Sequence, residues 1–342
     1  MQATTIGFDL AKNVFQVHGV DEQGRIVVAR KLRRGQVMEF FKKLPSCLVG
    51  MEACATAHHW ARALTELGHS VRLMPASYVK AYVKRSKNDA ADAAAICEAV
   101  TRPSMRFVPV KTVDQQAALM LHRSRDLLVR QRTQLINAVR AHLAEIGIVA
   151  AAGVDGLKAL LAVVHDAGTT QRLPKFLQQS VQALLSQLLA AQAQVDLLER
   201  AIVAQHKESE ASRRLQTIPG IGVIGATATV ATVTDPLAFR SGREYAAWVG
   251  LVPRQNSTGG KERLGGISKQ GDRYLRRLYI VGATAVIRHA RSHPEKHPWL
   301  TKLLAKKPPK VVAVALANKM ARIAWALLAK GGTYRAARAA SV

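Results

Sequence analysis

Four carboxylates stand out in the first hundred residues: Asp9 after the run TIGF, Glu52 directly after LVGM, and Asp89 with Asp92 in KNDAADAAAI. A side chain at the C-terminal end of a strand projects into the crevice above an open sheet, so Asp9 and Glu52 meet there if their strands are neighbours. Asp89 and Asp92 are three residues apart and share one helix face. Such acids repel one another unless cations intervene, and hard oxygen ligands select Mg2+ or Mn2+. Two such ions would activate a nucleophile and stabilise a leaving oxygen at a phosphodiester. Taken singly, each acid also reads as a strand end, a helix cap or a solvated first turn. Lys84, Arg85 and Lys87, just before Asp89, are placed to hold a phosphate backbone.

A second constellation lies in WVGLVPRQNSTGGKERLGGISKQGDRYLRRLYIVGA. Ser257 and Thr258 precede two glycines amid Arg254, Lys261, Arg263, Lys269, Arg273, Arg276 and Arg277. A hydroxyl on a loop ringed by cations suits attack on a phosphodiester, because the cations stabilise charge developing on the phosphoryl oxygens. The ordinary reading of Ser-Thr-Gly-Gly is a polar loop. Upstream, Gly220, Gly222 and Gly225 stand in literal G-x-G-x-x-G order, but Pro219 interrupts the approach and no adequate strand precedes it, which argues against a dinucleotide fingerprint. The better reading is a helix-hairpin-helix turn in which Gly220 and Gly222 let backbone N–H groups approach a DNA phosphate. The alternative is a glycine turn that packs two helices. His289, His293 and His297 recur every four residues, yet Pro294 and Pro298 break any helix that would align them. His59 is placed to approach the acids, although a core histidine is the commoner outcome. Trp248 and Trp299 read as packing anchors.

The elements that must position these residues follow from hydrophobic periodicity. The first hundred residues alternate strand-like and helix-like patterns in the order βββαβαβα, with Thr4 to Leu10, Val14 to Gly19, Ile26 to Arg30, Cys47 to Met51 and Ser70 to Met74 as strands. Val113 to about Ile148 and Phe176 to about His206 carry apolar residues at helical spacing, a pattern that suits a coiled coil and a plain helical bundle about equally. A second compact region runs from Leu215 to about Leu328, with Gly- and Pro-rich basic loops from Pro219 to Gly225 and Pro253 to Gly271. The expected fold class is α/β plus α. The expected domains are 1–112, 113–210 and 211–342.

Composition narrows the partner. The 342 residues carry 50 Lys and Arg against 23 Asp and Glu, a formal charge of +27, which points to a polyanion. From Ser241 onward there are twenty cations and four acids, Glu244, Glu262, Asp272 and Glu295. A membrane-spanning reading of Val311 to Ala329 is disfavoured by Asn318, Lys319 and Arg322. The N-terminus has no basic leader followed by an apolar run, so the expected location is cytoplasmic. Cys47, Cys54 and Cys97 form no C-x-x-C pair and read as small core residues.

GFDLAK, GMEACATAHHWA and KNDAADA resemble the three acidic motifs of the DEDD-type insertion-sequence transposases, the insertion-sequence one-ten family with its eleven-eleven subgroup. The resemblance runs from Thr5 to about Leu328. It implies a RuvC-like, RNase H-like N-terminal domain holding divalent metal through Asp9, Glu52, Asp89 and Asp92, and a C-terminal transposase domain with a serine nucleophile. One ungapped matching sets Thr258 at the serine position and a shifted one sets Ser257 there; Ser257 is chosen because the family's nucleophile is serine. The family also implies DNA recombination guided by an element-encoded bridge RNA, and a homotetramer whose active sites combine the metal domain of one subunit with the serine domain of another. Two other classes compete: an actin-like or sugar-kinase-type ATPase, whose domains also open on a strand with Asp and a hairpin, and a non-enzymatic architectural DNA binder, which the charge alone would support.

Overall fold

Large and small side chains alternate along the first strand, and that alternation sorts the N-terminal unit into layers. Ile6 and Phe8 on β1 (Thr5–Asp9) are fully buried on one face, while Gly7 and Asp9 occupy the other. The computed structural model describes every residue except 1, 85–87, 152, 154–155, 157–158, 160–161, 163–165, 167–172 and 336–342. The described chain falls into two compact units, Met1–Val113 and Asp114–Val342.

In the first unit β1 continues antiparallel into β2 (Val14–Val20) and β3 (Ile26–Arg33). The tight turn between the last two is fixed by Asp21, whose carboxylate accepts the backbone N–H groups of Gln23 and Arg25 at 3.0 and 2.9 Å. After α1 (Val37–Lys42), β4 (Leu48–Glu52) pairs parallel with β1. After α2 (Ala57–Glu66), β5 (Ser70–Met74) pairs parallel with β4. The sheet order is β3-β2-β1-β4-β5. Next come α3 (Ala76–Val79) and α4 (Asp89–Ala99).

One face of this sheet carries an aromatic core. Phe8 lies 5.4 Å from Phe15 and 5.3 Å from Phe41, ring centre to centre, and Trp60 of α2 closes on Phe15 at 5.4 Å. The other face is covered by α4, and it is built from small residues. A Cβ on Gly7 would stand 2.0 Å from the carbonyl oxygen of Ala93, and one on Gly50 would stand 2.7 Å from the Cβ of Val100. Glycine at position 7 therefore lets the helix backbone rest on β1, and glycine at position 50 makes room over β4 for the Val100 side chain at the helix end. Asn88 begins α4 by accepting the Ala91 N–H at 2.8 Å.

The second unit opens with two long helices, α5 (Val113–Ala144) and α6 (Lys175–Glu208). They pair antiparallel: Arg125 donates to Glu199 at 2.8 Å, Arg132 to Gln192 at 2.7 Å, and Val139 and Leu143 bury against Val181, Leu185 and Leu188. Beyond them follow α7 (Glu210–Gln216), α8 (Val223–Thr232), α9 (Gly242–Val249), α10 (Arg273–Ser292), α11 (Pro298–Leu304) and α12 (Pro309–Lys330). By length and composition α12 would suffice to cross a membrane, so its polar residues do not disqualify it as the sequence reading held. Here its Val312, Ala317, Met320 and Ala324 belong to the core of this unit. The basic stretch expected to be loop contains a hairpin instead, β6 (Pro253–Gln255) with β7 (Leu264–Ile267). Gly259 and Gly260 at its tip have φ of +54° and +76°, the left-handed pair that a tight two-residue turn requires.

The contact between α4 and the sheet is testable. Gly7→Ala should destabilise the N-terminal unit by about 1–3 kcal/mol, because the added carbon must displace helix backbone rather than a yielding side chain. Thermal unfolding checks this, and a midpoint equal to that of the unsubstituted chain would refute the close approach.

Candidate functional site

The parallel register of β1 and β4 pairs Thr5 with Leu48 and Gly7 with Gly50, and the same register carried two residues further sets Asp9 level with Glu52. Both acids follow glycines by two residues, so both lie on the α4 face at the C-terminal ends of adjacent strands. The first turn of α4 supplies Asp89 and Asp92. Among the described residues, Asp9, Asp89 and Asp92 each offer a carboxylate oxygen, all within 4.8 Å of one another. Glu52 stands outside this trio but close enough to act on Asp9 electrostatically. Burial, and then the negative charges of Asp92, Glu52 and Asp89, push the Asp9 carboxyl up to about 6, against a weaker opposing bond from the Leu10 backbone.

Cys54, expected in the core, has an exposed residue surface but a thiol partly shielded from water; that partial desolvation, then the charges of Glu52 and Asp9, raise it above the ordinary range. The neighbouring histidines stand outside the trio. His58 Nδ1 accepts the Lys111 backbone N–H at 3.1 Å, and His59 packs its ring 5.1 Å from that of Trp60. Lys84 is exposed just ahead of α4. Arg85 and Lys87 lie outside the described residues.

In the second unit Ser257 and Thr258 are exposed near the tip of the β6–β7 hairpin. Ser257 Oγ accepts two bonds at 3.2 Å, from the Arg263 backbone N–H and from Gln255 Nε2. Thr258 and Lys261 exchange backbone hydrogen bonds across the turn. Lys261, Arg263, Lys269 and Arg273 are exposed, and Arg254 reaches the Ser268 carbonyl at 3.2 Å. Arg276 departs from its expected place in a nucleic-acid surface. It is only 8% exposed, and its guanidinium donates to the carbonyls of Val249 and Gln270 at 2.9 and 2.6 Å, so it braces the base of the hairpin. Arg277 pairs with Asp126 of α5 and lies over the Tyr274 ring.

Gly220 is explained by packing: its φ is +88°, and a Cβ on Gly282 of α10 would lie 1.9 Å from its carbonyl oxygen. Gly222 is exposed and caps α8. Trp248 packs with Tyr245 and Phe239, and Lys319 sits over the Trp299 ring. The three late histidines, which the prolines were expected to scatter, are brought together: His289 and His293 stack at 4.5 Å, and His297 meets His289 edge-on at 5.3 Å.

An acid-lined α/β unit joined to a strongly basic helical unit is the layout of a protein that processes nucleic acid. Residues 6–148 match the DEDD transposase family of IS110, and residues 212–298 match the transposase IS116/IS110/IS902 family. The chain is 50% identical to a Pseudomonas aeruginosa protein named "Probable family 20 transposase", over 98% of this chain and 99% of that one. It is 41% identical to the transposase of insertion sequence element IS1111A from Coxiella burnetii, over 96% and 91% of the two chains, and 40% identical to that of IS1328 from Yersinia enterocolitica, over 97% and 98%. The chain belongs to the IS110 family of transposases.

The raised Asp9 carboxyl gives a pH prediction. A folded-state value above the ordinary 3.8 means that folding takes up a proton between there and about 6, so metal-free protein gains stability as pH falls through that window. Asp9→Asn removes the repelled charge. In the presence of chelator it should raise the unfolding midpoint near neutral pH and lose that advantage by about pH 4. An Asn variant that unfolds earlier than the parent near neutral pH would contradict mutual repulsion among these acids.

Proposed function

We propose that this transposase cleaves and exchanges the DNA strands of an insertion sequence, with Mg2+ or Mn2+ held by Asp9, Glu52, Asp89 and Asp92 and with Ser257 as nucleophile. The convergence of Asp9, Asp89 and Asp92 carries this reading. Their carboxylates fit a hard divalent cation: several acid oxygens share one small volume, where burial and then their mutual charge raise Asp9. Bound there, the ion would supply Lewis-acid stabilisation of charge at a phosphodiester. The strand order, with an antiparallel β1–β2–β3 meander and parallel β4 and β5, supports an RNase H-like, RuvC-like assignment for 1–112. We assign 113–210 as a coiled-coil spacer and 211–342 as the transposase domain.

Ser257 attacks phosphorus: the Oγ–P bond forms, the bond from phosphorus to a sugar oxygen breaks, and the leaving oxygen takes a proton as the serine loses its own. Both hydrogen bonds on Oγ are donated to it, from Arg263 and Gln255, and donation of this kind favours the alkoxide that attacks. Lys84, Arg85 and Lys87 of the first unit, and Gly222, Arg254, Lys261, Arg263, Lys269 and Arg273 of the second, are the proposed nucleic-acid contacts of each unit. An element-encoded guide RNA and a homo-oligomer complete the proposed assembly, for which the net charge of +27 is the supporting feature. The proposed site of action is the cytoplasm.

Ser257→Ala should abolish covalent protein–DNA adducts, read by denaturing gel, while leaving DNA retention intact. Thr258→Ala should preserve the adducts. Adducts that persist in the Ser257 variant and vanish in the Thr258 variant would move the nucleophile by one residue, and adducts that survive both would remove the hairpin from the chemistry. Asp9→Asn with undiminished strand exchange would sink the metal assignment.

A further inference from the structure

The far end of α10 gathers chemistry-bearing side chains that the transposase reaction does not use. His289 lies in the last turn of the helix and His293 forms its C-cap. Pro294 then starts a single tight turn, Pro294–Lys296, and His297 precedes Pro298 at the start of α11. The prolines end the helix, and in doing so fold the chain back on itself. His289 Nδ1 comes to lie 3.1 Å from His297 Nε2. His293 stacks its ring on that of His289, with centres 4.5 Å apart and planes 17° apart. The Nδ1 of His293 faces the His289 carbonyl at 3.4 Å, so Nε2 is the nitrogen it can offer to a ligand.

Tetrahedral zinc binds imidazole nitrogen at about 2.0–2.1 Å, which sets neighbouring ligand nitrogens about 3.3 Å apart. The His289–His297 pair already stands near that spacing. As a hydrogen bond the pair uses one N–H; moving that proton to the other nitrogen of the same ring frees both facing lone pairs, so a metal ion can enter without net proton loss. The stacked His293 ring, its centre 4.5 Å from that of His289, is the third imidazole of the group. Arg288, Arg291 and Lys296 flank the cluster in sequence, which disfavours a hard, purely electrostatic cation and leaves affinity to imidazole bonding.

We propose that His289, His293 and His297 form a transition-metal site for Zn2+, chemically distinct from the acidic cluster, which staples the turn after α10 to the helix that precedes it. The site holds an imidazole-preferring ion, with solvent completing its coordination, and fixes the entry to α11, where Trp299 carries Lys319 on its ring.

The test uses the full chain in excess Mg2+, so that a hard-acid site is filled with a cation that imidazoles bind poorly. Co2+ is titrated as a spectroscopic stand-in and Zn2+ by calorimetry. One equivalent should bind, with the visible bands of low-coordinate cobalt, and Zn2+ should raise the unfolding midpoint. A His289→Ala, His297→Ala double variant should weaken binding by more than about tenfold and lose the thermal shift, with unchanged circular dichroism. These residues are partly or fully exposed, so their replacement leaves the core intact. Asp9→Asn should bind Zn2+ like the parent. No saturable binding up to millimolar Zn2+, equal affinity in the double variant, or loss of binding in Asp9→Asn would each overturn the proposal.

Discussion

The approach of α4 to the bare faces of Gly7 and Gly50 is the constraint on which the N-terminal unit turns. It holds the first turn of the helix over the C-terminal ends of β1 and β4 and so forces three aspartates together. Magnitudes show why this is costly. Two carboxylates about 5 Å apart at an effective dielectric near 20 repel by ~3 kcal/mol, whereas the positive end of a helix dipole returns only about 0.3–1 kcal/mol. The dipole alone does not balance the cluster. What remains is protonation or a cation; burial, and then these charges, push the Asp9 carboxyl up to about 6. Packing energy from the aromatic face opposite, where Phe8, Phe15, Phe41 and Trp60 interlock, stabilises the sheet that carries this repulsion.

The second unit solves a different problem, that of presenting an exposed hairpin from a firm base. Arg276 is buried where its guanidinium ties the end of α9 to the strand exit, and Asp272 caps α10 by accepting the Leu275 N–H at 2.8 Å. Gly250 and Gly271 take left-handed conformations at the same junction, where side chains would strike the Gln270 and Trp248 carbonyls. From α5, His122 meets the Tyr274 hydroxyl at 3.2 Å and Asp126 pairs with Arg277. The start of α10 is therefore fixed from two sides, while the hairpin tip two strands away stays open to solvent.

The strands of the N-terminal sheet, the long helices and the three clustered aspartates were legible because each rests on local periodicity or on residue type at a strand or helix end. β5 falls on the residues that alternation marks, and α5 and α6 lie within a few residues of their apolar patterns. Features set by tertiary approach were not legible. Nothing local distinguishes Gly7 from any other strand glycine, or Arg276 from the exposed arginines beside it; only the neighbours decide. The β6–β7 hairpin escaped because its strands are exposed and polar, leaving no buried face for alternation to reveal. The histidines were misjudged for an instructive reason. Proline was correctly taken to end α10, but a broken helix can still return a side chain to the helix it left.

The two chemical centres differ in what they supply, and that difference bears on how a phosphodiester would be handled. The acidic cluster offers concentrated negative charge and calls for a cation. The hairpin offers the reverse: Ser257 Oγ receives two hydrogen bonds, and Lys261 and Arg263 are exposed on the same tip. Donors and cations of that kind lower the cost of forming an alkoxide and of building charge on phosphoryl oxygens, without removing a proton themselves. A serine activated in this way depends on where its substrate phosphate sits, because the cations that would settle on the phosphate also bias the hydroxyl toward ionisation. In the proposed role of Ser257, binding and activation are then one electrostatic event, and the open hairpin would become reactive only when a nucleic-acid backbone fills it.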